Sequence, residues 1–100
     1  MQERRSAPRF RSDLNVQWET LKITGRGQVC DLSSSGCFIL TGGEVHPREL
    51  VKLKIRLPQE VVTLWGNVVY AVSEMGFAVL FVFESESDSQ LIARVISSVQ

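Results

Sequence analysis

Val51-Lys52-Leu53-Lys54-Ile55-Arg56-Leu57 alternates between apolar and cationic residues without a break. Successive side chains of a β-strand point to opposite faces, so this segment sets four apolar groups on one side and three cations on the other. A strand with one wet face needs neighbours to bury the dry one, and the flanking sequence supplies them. Short runs rich in Val, Ile, Leu, Trp and Phe recur over residues 14–22, 27–33, 36–41, 50–57, 61–72 and 75–83. Between them stand turn formers: Thr41-Gly42-Gly43, suited to positive φ, Pro58-Gln59-Glu60 for a tight hairpin, and Ser73-Glu74 before the last run. Short strands at such spacing predict an all-β sandwich or barrel, and the brief connections make successive strands antiparallel neighbours.

Both ends depart from this pattern. Residues 1–13 hold Arg4, Arg5, Arg9 and Arg11 with little periodicity, which predicts a flexible arginine-rich N-terminal arm ahead of a domain over 14–100. At the other end Leu91, Val95 and Val99 fall at helical spacing, widened by Ile92 and Ile96. Ser87 and Gln90 are spaced as a capping box, predicting a helix from about Asp88. Its apolar stripe must cover an open end or face of the barrel, or a second subunit.

Composition narrows the function. A chain of 100 residues, 44% hydrophobic, suffices for one core without metal or disulfide support. Eleven Lys and Arg balance eleven Asp and Glu, so no net field draws the molecule to a nucleic-acid polymer or an anionic membrane. The basic start and the acidic stretch Glu84, Glu86, Asp88 are local features. Cys30 and Cys37 match no zinc or redox spacing and read as small buried residues. No apolar stretch is long enough for a signal or a membrane span, and cytoplasmic residence is expected. The single histidine, His46, lies beside Pro47 in a loop, with no nucleophile–base arrangement, no metal-ligand spacing and no phosphate-binding glycine loop, so no enzyme activity, cofactor or metal is expected.

Two polar clusters remain: Arg5-x-x-x-Arg9 with Arg4 before it, and Asp31-x-Ser33-x-x-Gly36 at the end of a strand. Alternation puts Asp31 and Ser33 outward and Cys30 and Leu32 inward, with Gly36 permitting a bend or a positive φ. In this order the two clusters resemble the PilZ domain family, and the likeness extends to the Gly66–Tyr70 run GNVVY and the Gly76–Phe81 run GFAVLF. Leu80 stands where that family often carries a polar residue and marks a possible sticky face and homodimer contact.

The resemblance implies a six-stranded antiparallel β-barrel with a C-terminal α-helix that binds cyclic di-GMP. It assigns Arg5 and Arg9 to guanine edges, guanine faces and phosphates. The chemistry agrees, because an arginine fork matches guanine O6 and N7 with two hydrogen bonds and also stacks on the base. Asp31 suits the N1–H and N2–H₂ donors on guanine's other edge, Ser33 adds a donor or acceptor, and Gly36 contributes shape. Adenine inverts that pattern and should be rejected. Arg4 would favour a stacked, two-molecule form of the ligand.

A mobile cationic arm drawn onto the barrel by a dianion makes a disorder-to-order switch, read out by a partner protein in trans. Two other classes stand beside this one. One is a protein-interaction module of the same fold without nucleotide binding, expected to show eroded motifs. The other is a single-strand nucleic-acid binder, which needs several exposed aromatics, whereas the eight aromatics here fall mostly at positions that read as buried, Trp18 and Trp65 included. Lys52, Lys54 and Arg56 read as a solvent face.

Overall fold

The computed structural model describes residues 8–100. Six strands, β1 (Phe10–Glu19), β2 (Thr24–Leu32), β3 (Gly36–Leu40), β4 (Leu50–Arg56), β5 (Val61–Val72) and β6 (Gly76–Phe81), precede one helix, α1 (Glu86–Val99). They close into an antiparallel barrel in the order β1-β2-β3-β6-β5-β4, and β4 returns to pair with β1. The alternation read from the sequence points inward: Val51, Leu53, Ile55 and Leu57 are buried.

Trp18 is the largest fully buried side chain, and its surroundings explain two glycines. A Cβ on Gly25 or on Gly43 would come 2.3 Å from the indole, so both positions form a slot for the ring. Phe77 meets the indole edge-on with ring centroids 5.3 Å apart, and Trp18 Nε1 donates to Thr41 Oγ1 at 3.1 Å. Gly43 therefore serves close packing. The positive φ expected at Gly42-Gly43 occurs instead at Arg48, at Glu74 in the Ser73-Glu74 turn, and at Gly76 where β6 begins.

Two other expectations shift. Strand β1 starts at Phe10, so residues 10–13 belong to the barrel and not to an arm. Burial alternates through β1, but the inward place between Phe10 and Leu14 is held by Ser12, with Arg11 and Asp13 on either side, so the sequence shows no apolar pattern there; the pairing with β2 shifts between Arg11 and Leu14, and the Leu14 amide donates to Ser12 Oγ at 3.0 Å. The helix starts at Glu86, after Ser85. Its start is fixed by Asp88, whose carboxylate accepts from the Glu84 amide at 2.8 Å and the Ser85 amide at 3.3 Å, in place of the Ser87–Gln90 pair. Asp88→Ala is expected to cost roughly 1 kcal/mol, seen as a fall of about 4–8 °C in the thermal midpoint.

The apolar stripe of α1 packs on the barrel beside β1 and β5, with Ile92 and Val95 fully buried and Leu91, Ile96 and Val99 half-buried. Arg94 fixes the helix further by a two-point contact with Glu60 in the β4–β5 hairpin, at 3.0 and 3.2 Å.

Candidate functional site

Strands β1 and β2 pair with Arg11 opposite Asp31 and Phe10 opposite Leu32, which carries Arg9 to the end of β2. There Arg9 and Asp31 form an ion pair. Beyond it the chain turns sharply: the Ser33 amide donates to Gly36 O at 2.9 Å, the Ser35 amide donates to Ser33 Oγ at 3.2 Å, and the two serine hydroxyls lie 3.1 Å apart. Of the residues singled out in the sequence, Arg9, Asp31, Ser33 and Gly36 border one open pocket of about 260 Å³. Arg4 and Arg5 lie outside the described residues.

Gly36 has a different job from the one expected. Its φ is not positive, and a Cβ there would lie 2.1 Å from Val79 O on β6. It lets β3 and β6 approach each other beneath the pocket.

The pocket floor was not read from the sequence. Phe38 and Tyr70 face outward with ring centroids 6.2 Å apart, beside Ala78, Leu80 and Val69. Phe38 was available from alternation, since Cys37 and Ile39 on either side of it are buried. Tyr70 was hidden by a register shift between Val68 and Tyr70, which leaves Val69 and Tyr70 both exposed. Leu80 is 53% exposed, as its departure from the family pattern led us to expect.

Another shift, between Val29 and Asp31, corrects the reading of Cys30, which is half-buried at the bulge and does not point cleanly into the core. Trp65 is also corrected: it lies 40% exposed on the outer face of β5, with Lys52 Nζ 5.7 Å from its ring, because Leu64 and Gly66 take the inward positions.

Cys37 is buried behind the pocket, and its thiol is pushed from an ordinary 9.0 to about 12, chiefly by burial and secondarily by Cys30. The folded state thus holds this proton where the unfolded chain releases it. The associated stability is whole below about pH 9 and is lost as pH rises towards 12. Urea midpoints should fall across that window, and less steeply in Cys37→Ala.

The closed six-stranded barrel with its C-terminal helix thus carries a polar corner and an open pocket on its outer wall. The profile of the PilZ domain matches residues 3–98, and the chain belongs to that family. Among solved structures it resembles the PilZ domain of YcgR from Escherichia coli with c-di-GMP, with TM-score 0.83 at 16% identity over 97% of this chain and 92% of that one. The PilZ domain of CeSA from a cellulose-synthesizing bacterium superposes with TM-score 0.77 at 16% identity, covering 90% of this chain and 95% of that one. The K. pneumonia MrkH–c-di-GMP complex gives TM-score 0.72 at 20% identity, over 95% of this chain and 51% of that one. At these identities the likeness establishes the fold. No curated protein matches the sequence. Among the described residues, no helix is long and apolar enough to cross a membrane.

Proposed function

We propose that this chain is a non-catalytic bacterial receptor module for cyclic di-GMP, working in the cytoplasm. The observation that carries the reading is the Arg9–Asp31 ion pair at the mouth of the pocket bordered by Ser33 and Gly36. The pair's side chains are 43% and 31% exposed, and an exposed pair of this kind contributes about 0–1 kcal/mol, so a ligand opens it cheaply. Once opened, Asp31 accepts from guanine N1–H and N2–H₂ while Arg9 turns its fork to O6 and N7 or to phosphate. Arg5 joins from the other half of its motif. Solved relatives of the same fold are described with c-di-GMP, which supports the ligand class.

Ordering of the arginine-rich N-terminal segment on the barrel would present a changed surface to a partner protein in trans. Calorimetric titration with cyclic di-GMP, GTP and cyclic di-AMP tests the reading. Heat is expected with cyclic di-GMP alone, at two nucleotides per chain, falling towards one in Arg4→Ala. A stoichiometry of one throughout removes Arg4 from the reading, and heat with none of the three removes the reading itself.

That last outcome would select the second reading, a PilZ-fold protein-interaction module that binds no nucleotide. It is favoured by one observation, the exposed apolar wall of Leu80, Tyr70 and Val69, which also suits a homodimer contact.

A further inference from the structure

A second surface lies on the outer wall of β1, β2 and β4 and shares no residue with the pocket around Asp31. Two hollows of about 350 and 420 Å³ meet there, with Gln17, Arg26 and Lys54 common to both. Gln17 pairs with Arg26 on one side and Lys54 on the other, so the two cations flank a neutral amide floor that Asn15 continues. Arg56 extends the cationic wall along β4. None of these three cations is in an ion pair among the described residues. Lys52 and Glu19, which also line the first hollow, stand opposite each other in the ladder and offset one another in charge, and Lys52 Nζ lies 5.7 Å from the Trp65 ring centroid. The result is a trough with three unneutralised positive charges on a molecule of zero net charge.

We propose that this trough docks an extended acidic segment of a partner protein whose carboxylates fall at alternate residues. Along this wall β1 is paired on both sides from Val16 to Glu19, with β2 and with β4, so a peptide finds no free edge of β1 there and is held by side chains. Lys54 and Arg56 stand two residues apart on one strand, about 6.7 Å, the repeat at which an extended chain presents alternate side chains to one face. Arg26 faces them from across β1, and the amides of Asn15 and Gln17 supply hydrogen bonds between the charges. A nucleic acid fits less well. The one aromatic lining either hollow is Trp18, which is buried, whereas single-strand binders rely on free stacking aromatics. This surface stands apart from the nucleotide reading.

The test is a ¹⁵N NMR titration of the full chain with a short synthetic peptide alternating Glu and Thr. The controls are the same composition with the glutamates in one block, and a thymidine oligonucleotide of equal charge. Amide shifts are expected at Gln17, Arg26, Lys54 and Arg56, unchanged when cyclic di-GMP is present. Affinity should fall roughly tenfold or more for the blocked peptide and for the double variant Lys54→Glu, Arg56→Glu, with Lys54→Gln, Arg56→Gln standing in should the reversal unfold. Added salt should weaken the contact. The proposal is overturned if shifts fall elsewhere or do not occur, if the variants bind as well as the native chain, or if the oligonucleotide binds more tightly than the alternating peptide.

Discussion

Asp31→Ala is expected to weaken cyclic di-GMP binding about ten- to a hundredfold or more. A carboxylate facing two guanine donors makes charge-assisted hydrogen bonds, and losing such a bond costs roughly 1.5–3 kcal/mol. The stability of the free protein should hardly move, because the Arg9–Asp31 pair is substantially exposed. Binding and folding are thereby separated, which makes the measurement decisive. Asp31→Asn sharpens it: the amide keeps one acceptor and adds a donor that faces the guanine donors, so most of the loss should persist although size is conserved. Arg9→Ala and Arg5→Ala should each cause losses of similar size. Calorimetry in which Asp31→Ala retains native affinity would remove Asp31 from the site and leave the pocket without a carboxylate acceptor for the guanine N1–H and N2–H₂ donors.

Trp18→Ala carries the largest expected effect on stability, about 3–5 kcal/mol, read as a shift of the urea midpoint. Domains of this size have about 5–15 kcal/mol in total, so the variant should sit close to unfolding at ambient temperature. The cause is local. The indole fills a slot whose walls are the bare backbones of Gly25 and Gly43, and nothing nearby can collapse into the space it leaves. The same geometry predicts that Gly43→Ala alone overpacks the slot, costing roughly 1–3 kcal/mol. Combined with Trp18→Phe, which shortens the ring, the added methyl should cost less than it does alone. Strict additivity of the two would show that Gly43 is not reserved for the indole.

The sequence by itself determined the strands, the helix and the chemistry available. Val51 to Leu57 alternates because a barrel wall has one dry and one wet face, and that rule is local to each strand. Leu91, Ile92, Val95 and Ile96 announce a stripe by the same kind of local geometry. Arg9, Asp31 and Ser33 could be singled out as members of two polar clusters whose order resembles the PilZ motifs, and that resemblance, with which their chemistry agrees, implied guanine.

Only the tertiary structure decided which of these groups meet, and on what floor. Register shifts in β2 beside Asp31 and in β5 beside Tyr70 each break the alternation by one residue, and a third, beside Arg11 in β1, changes its pairing with β2. A bulge leaves no compositional mark, since it depends on how a strand pairs with a distant one. Gly36 was legible as a glycine, but that it spares β6 a collision depends on β3 and β6 being neighbours, although β4 and β5 lie between them in the chain. Likewise Arg26 and Lys54 become two sides of one trough only because β1 lies between β2 and β4 when the ring closes. Pairing between distant segments is a property of the closed barrel, and no single stretch of sequence carries it.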